Sequence, residues 1–135
     1  MPTTCVSNAG KTDVVLLVDA ANVIGSRPTG WWRDRPGAAR AFVERLRAAV
    51  TLGRITEPAV VVLEGAARSG VEEGVSDGVA VVHAQGSGDD TLIAVIGDTS
   101  DQVTLVSADR ELRRRAGALG AGVVGPGWLI GLLGD

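Results

Sequence analysis

The chain has 135 residues, 45% of them apolar, and a net charge of −3. That is enough to bury one hydrophobic core without staples, and it excludes a strongly basic nucleic-acid coat. A single cysteine, Cys5, excludes an internal disulfide and fits a reducing compartment. Residues 1–12 lack the apolar stretch of a secretory signal, and no run approaches the ~20 residues of a membrane span. A cytoplasmic protein without a membrane partner is expected. The chain reads as a single domain over residues 1–135, with residues 1–12 a flexible tail. Lys11 is the only lysine, and the arginine bias is compatible with phosphate contact.

Residues 14–18, VVLLV, form a continuous apolar run ending at Asp19. Both faces look buried, as in a parallel strand covered by helices. Residues 20–35 read as a loop holding Gly25, Pro28, Gly30, Trp31 and Trp32. Pro36 suits the first turn of a helix, in which Ala39, Phe42, Val43, Leu46, Ala49 and Val50 make one apolar face. Arg40 and Glu44 lie four apart on another face, as a surface pair would. Residues 59–63, AVVVL, are a second strand ending at Glu64, followed by a Gly- and Glu-rich loop over 65–78.

Residues 79–84 are a third strand. Gly86-Ser87-Gly88 turns into a short helix starting near Asp89 and Asp90, with Leu92, Ile93 and Ile96 inward. Residues 102–106 are a fourth strand, leading through Ser107 and Ala108 to Asp109. An arginine-rich helix over about 109–119, a short strand over 121–124 and a last helix opened by Pro126 complete the chain. This alternation predicts an α/β three-layer sandwich around a parallel sheet of four or five strands.

The acids fall at the strand ends. Asp19 ends strand one, Glu64 ends strand two, Asp89 and Asp90 follow strand three, and Asp109 follows strand four. In an open parallel sheet these positions share one edge, and ligands bind where the strand order reverses. With order 3-2-1-4-5, that crevice lies between strands one and four. Clustered carboxylates resist ionising without a cation, and oxygen donors suit Mg²⁺ or Mn²⁺ rather than zinc. Helix capping is the competing role for Asp89, Asp90 and Asp109, and Glu64 can equally be a solvated strand end. Asp19 precedes a long loop and has no helix nearby to cap.

Other motifs fail. Ala9-Gly10-Lys11-Thr12 resembles the tail of a phosphate-binding loop, but Cys5 replaces its first glycine and the segment precedes its strand. Gly86 and Gly88 are followed by Thr91 where a dinucleotide fingerprint needs glycine. An aspartyl phosphatase would place a second acid at position 21, which is Ala21. His83, inside an apolar strand, reads as a satisfied core residue.

Three segments resemble the NYN-type PIN-like ribonuclease family. Val18-Asp19-Ala20-Ala21-Asn22-Val23-Ile24-Gly25 is similar to the opening motif, an aspartate followed at short range by asparagine and an apolar pair. Gly88-Asp89-Asp90-Thr91-Leu92-Ile93 is similar to the central acidic motif. Val103-Thr104-Leu105-Val106-Ser107-Ala108-Asp109-Arg110-Glu111-Leu112 is similar to the late strand that runs into Thr/Ser-x-Asp. The match spans about residues 14–130 in order.

The resemblance implies a metal-dependent endoribonuclease of PIN-like fold. By position, Asp19, Asp90 and Asp109 would hold Mg²⁺ or Mn²⁺, with Asp89 and Glu64 as further ligands. Asn22 and Ser107 would orient ligands or the scissile phosphate. A further acid found in many family members, in the helix after strand one, has only Glu44 as a counterpart. That departure keeps two alternatives open: an inactive RNA- or protein-binding module, and a nucleotide phosphohydrolase using the same acids.

Residues 26–35, SRPTGWWRDR, start beside Asp19 and Asn22 and should overhang the crevice. Arg27 and Arg33 there, with Arg110 beside Asp109, are candidate phosphate contacts. Trp32 is a candidate stacking platform for an unpaired base, which favours single-stranded RNA as partner. Packing of the loop onto the first helix is the alternative for each tryptophan. A homodimer stays open.

Overall fold

A computed structural model of the chain describes residues 14–134. The expected tail over residues 1–12, with Cys5, lies outside the described residues. Six strands form one sheet: β1 (Val14–Asp19), β2 (Ala59–Leu63), β3 (Gly74–Ser76), β4 (Val79–His83), β5 (Gln102–Val106) and β6 (Gly122–Val124). Their order is β3-β4-β2-β1-β5-β6. All neighbours are parallel except β3 against β4. The five expected strands stand in the expected order, and the sheet reverses between β1 and β5.

Five α-helices flank the sheet: α1 (Ala20–Gly25), α2 (Arg35–Thr51), α3 (Gly88–Asp98), α4 (Arg110–Ala118) and α5 (Pro126–Leu133). The pleat sends alternate side chains to opposite faces. Leu16 and Val18 join Val23 of α1, Phe42 and Leu46 of α2 and Leu129 of α5 in one core. Leu17 and Leu105 join Leu92 and Ile96 of α3 and Leu112 of α4 in the other. The result is the expected three-layer sandwich. The predicted apolar face of α2 is buried at Ala39, Phe42, Val43, Leu46 and Ala49.

Two stretches read as loops carry structure. Residues 20–35 contain α1 and a 3₁₀ turn over Trp31–Arg33. The helix starts directly after β1 because the Asp19 carboxylate accepts the Asn22 backbone N–H, so Asp19 both ends a strand and caps a helix. Residues 65–78 contain a 3₁₀ turn over Gly65–Gly70 and the edge strand β3. Asp77 and Gly78, at φ of 53° and 78°, make the tight turn into β4. Asp-Gly is a favoured pair there because both central residues of a type I′ turn need positive φ. His83 is satisfied, its Nε2 lying 2.6 Å from the Val71 carbonyl. Among the described residues, no helix is long and apolar enough to cross a membrane.

Candidate active site at the carboxyl edge of the sheet

Asp19 ends β1 at the reversal point and is 6% exposed. Its Oδ2 accepts the Ser107 hydroxyl at 3.0 Å, and its Oδ1 accepts the Asn22 N–H at 3.4 Å. Ser107, fully buried just past β5, also accepts the Asp109 N–H at 3.1 Å. Asn22 Oδ1 accepts the Ala108 N–H at 2.8 Å, tying α1 to the turn before α4. Asp109 caps α4 by accepting the Leu112 N–H at 2.9 Å. Asp19, Asn22, Ser107 and Asp109 thus form one hydrogen-bonded network across the β1–β5 crevice.

Burial pushes the Asp19 carboxyl up to about 6. The Ser107 and Asn22 hydrogen bonds oppose that rise, and the charges of Asp89 and Glu64 add to it. Asp89, in the first turn of α3, is also raised. Partial burial is the main cause, Asp109 and Glu64 add to it, and Arg115 works against it. Asp89 therefore feels Asp19, Glu64 and Asp109, whereas Asp90 turns outward. The Asp90 side chain is 78% exposed and lies 3.4 Å from the Arg115 guanidinium. Ser87, not either aspartate, caps α3.

Glu64 follows β2 and leans on the start of α3. A Cβ at position 88 would stand 2.5 Å from Glu64 Oε1, so glycine there makes room for the carboxylate. These donors fit a hard divalent cation in kind, being all carboxylate oxygen. They do not form a ready cage. Among the described residues, no three His, Cys, Asp or Glu side chains gather closely enough to hold an ion.

The loop after α1 is braced by ring contacts. Trp31 packs against Gly25 and meets Trp32 edge-on, with centroids 5.8 Å apart at 88°. Arg33 lies 5.7 Å from the Trp32 centroid and Arg35 lies 5.3 Å from that of Trp31, both within cation–π reach. Trp32 is 51% exposed. Arg27 lies on another side, lining a cavity with Phe42 and Ile130. Arg110 is exposed at the first position of α4, next to Asp109.

With this geometry in view, comparison with solved structures finds a likeness of fold. The fold is similar to that of Rae1 (YacP) from Bacillus subtilis. The TM-score is 0.64 at 18% identity, covering 88% of this chain and 72% of that one. A variant of Rae1 gives 0.65 at 17%, covering 88% and 74%. At this identity the likeness to Rae1 is one of fold, with which a PIN-like sandwich is consistent. No family model matches the sequence, and no curated protein matches it.

Proposed function

We propose that the chain is a metal-dependent endoribonuclease of the PIN-like kind. The observation that carries this reading is Asp19, buried where the sheet order reverses and bonded through Ser107 to the turn that presents Asp109. Asp19, Asp89, Asp109 and Glu64 would hold Mg²⁺ or Mn²⁺. Asp89 takes the place first given to Asp90, whose exposed carboxylate is engaged by Arg115. A divalent ion, when bound, would supply water activation and neutralise charge developing on the scissile phosphate, leaving 5′-phosphate and 3′-hydroxyl ends.

The chain's own residues do the positioning. Ser107 fixes the rotamer of Asp19 and, through the Asp109 N–H, the start of α4. Asn22 is a positioning residue that holds α1 to the same turn. Arg33 and Arg110 are exposed and offer planar donors to flanking phosphates. Trp32, half exposed, offers an indole face to an unpaired base, so single-stranded RNA is the preferred substrate class.

A second reading, an RNA-binding module with a residual site, draws on the absence of a gathered metal cage among the described residues. Cleavage separates the two. The wild-type protein with Mn²⁺ should cut labelled single-stranded RNA, and Asp19→Asn should lower the rate at least about 10²-fold while RNA binding persists. Binding without cleavage by the wild type would favour the module. Hydrolysis of nucleoside triphosphates but not RNA would favour a nucleotide phosphohydrolase.

A further inference from the structure

We propose that a cavity beside the acidic edge receives one unpaired nucleobase of the bound RNA. The proposal rests on the ribonuclease reading and adds a recognition subsite to it. The cavity, about 280 Å³, is walled by Ile24, Trp31, Leu63 and Ala67, with Arg35 and Glu64 as its charged groups. Small-ligand sites run to about 300–1,000 Å³, so this one suits a single ring system and not a run of nucleotides.

Its position ties it to the acids. Glu64 belongs to both places: it lines the cavity, and its carboxylate lies against Gly88 at the start of α3. Ala20, also in the wall, directly follows Asp19. A base in the cavity leaves its sugar and phosphate at the sheet edge. A cleft of about 400 Å³, lined by Arg40, Glu44 and residues 70–76, includes none of those acids.

The wall chemistry selects a base over an aliphatic side chain. Trp31 is held by Gly25 on one side and by Trp32 edge-on, so little freedom is lost when a second ring stacks beside it. Arg35 is exposed, and its guanidinium already lies over the indole. A planar cation stacks on bases and donates to their acceptor-bearing edges. An aliphatic occupant would leave Arg35 and Glu64 unmatched. Trp31 is then a second base-contacting tryptophan, beside the more exposed Trp32.

The test follows the Trp31 indole N–H by NMR in the full chain, titrated with AMP, with GMP and with base-free ribose 5-phosphate. The nucleotides should move that signal and ribose 5-phosphate should not. Ala67→Leu, which fills the cavity without touching the Asp19 hydrogen bonds, should weaken single-stranded RNA binding roughly 5- to 150-fold, the worth of one base–aromatic stack. Trp31→Leu keeps an apolar wall and should do the same. A Trp31 signal silent to nucleotides, with RNA affinity unchanged in whichever variant folds, would overturn the subsite. RNA cleavage with a silent Trp31 sinks the subsite and leaves the ribonuclease. A responsive Trp31 in a protein that cleaves no RNA sinks the ribonuclease and leaves the base site.

Discussion

The β1–β5 crevice and the start of α3 both carry acids, and they treat them differently. In the crevice, hydroxyl and backbone donors meet the Asp19, Asn22 and Asp109 oxygens. At the start of α3, the charges of Glu64 and Asp89 add to the rise at Asp19, and Arg115 is the cation that works against the rise at Asp89. The crevice fixes positions, and the helix start adds charge that Arg115 offsets in part. A cation would satisfy the second region by using the geometry of the first.

The largest expected effect sharpens that contrast through Asp19. Its native pKa of about 6 lies above the ordinary 3.8, so between these values the folded state holds the extra proton. This group's contribution is full below the unfolded value and is lost as pH rises through the folded one. Without metal, the protein should be more stable at about pH 5 than at about pH 7.5, by about 1.4 kcal/mol from this group, out of about 3 kcal/mol over its whole titration range. Asp19→Asn should flatten that slope in urea melts. An unchanged slope would mean that the crevice acid is not the strained one.

Ser107→Ala is the next largest. It removes a buried hydroxyl that donates to Asp19 and accepts from Asp109. Loss of a buried partner costs about 1–3 kcal/mol, read as a lower urea midpoint at constant slope. The Asp19 carboxyl should titrate higher still, because a donor that lowers it is gone. Wild-type stability in this variant would break the contrast, since the crevice would then be as loosely held as the helix start.

Much of this was legible in the sequence because parallel strands buried on both faces leave unbroken apolar runs. Leu16, Leu17 and Val18 are all at most 1% exposed and needed no periodicity to be seen. The edge strand β3 left no such mark, since all three of its residues are exposed, Val75 at 78%. Only Asp77-Gly78 signalled it. The helix α1 was hidden because Asp19 reads as a strand end and serves as a cap. The choice between Asp89 and Asp90 turns on one residue of helix phase. Successive helical side chains point about 100° apart, so a start at Gly88 behind a Ser87 cap turns Asp89 to the edge and Asp90 to solvent.

The most direct measurement is calorimetric titration of Mn²⁺ into the 135-residue chain near neutral pH, where Asp19 is largely ionised. The account predicts saturable binding that Asp19→Asn and Asp89→Asn each weaken at least about tenfold, a loss of about 1.4 kcal/mol. Asp90→Asn should leave binding within about twofold, because its exposed carboxylate pairs with Arg115 and is the smallest of the charges acting on Asp89. No saturable binding to the wild type, or loss at Asp90 with retention at Asp89, would contradict it.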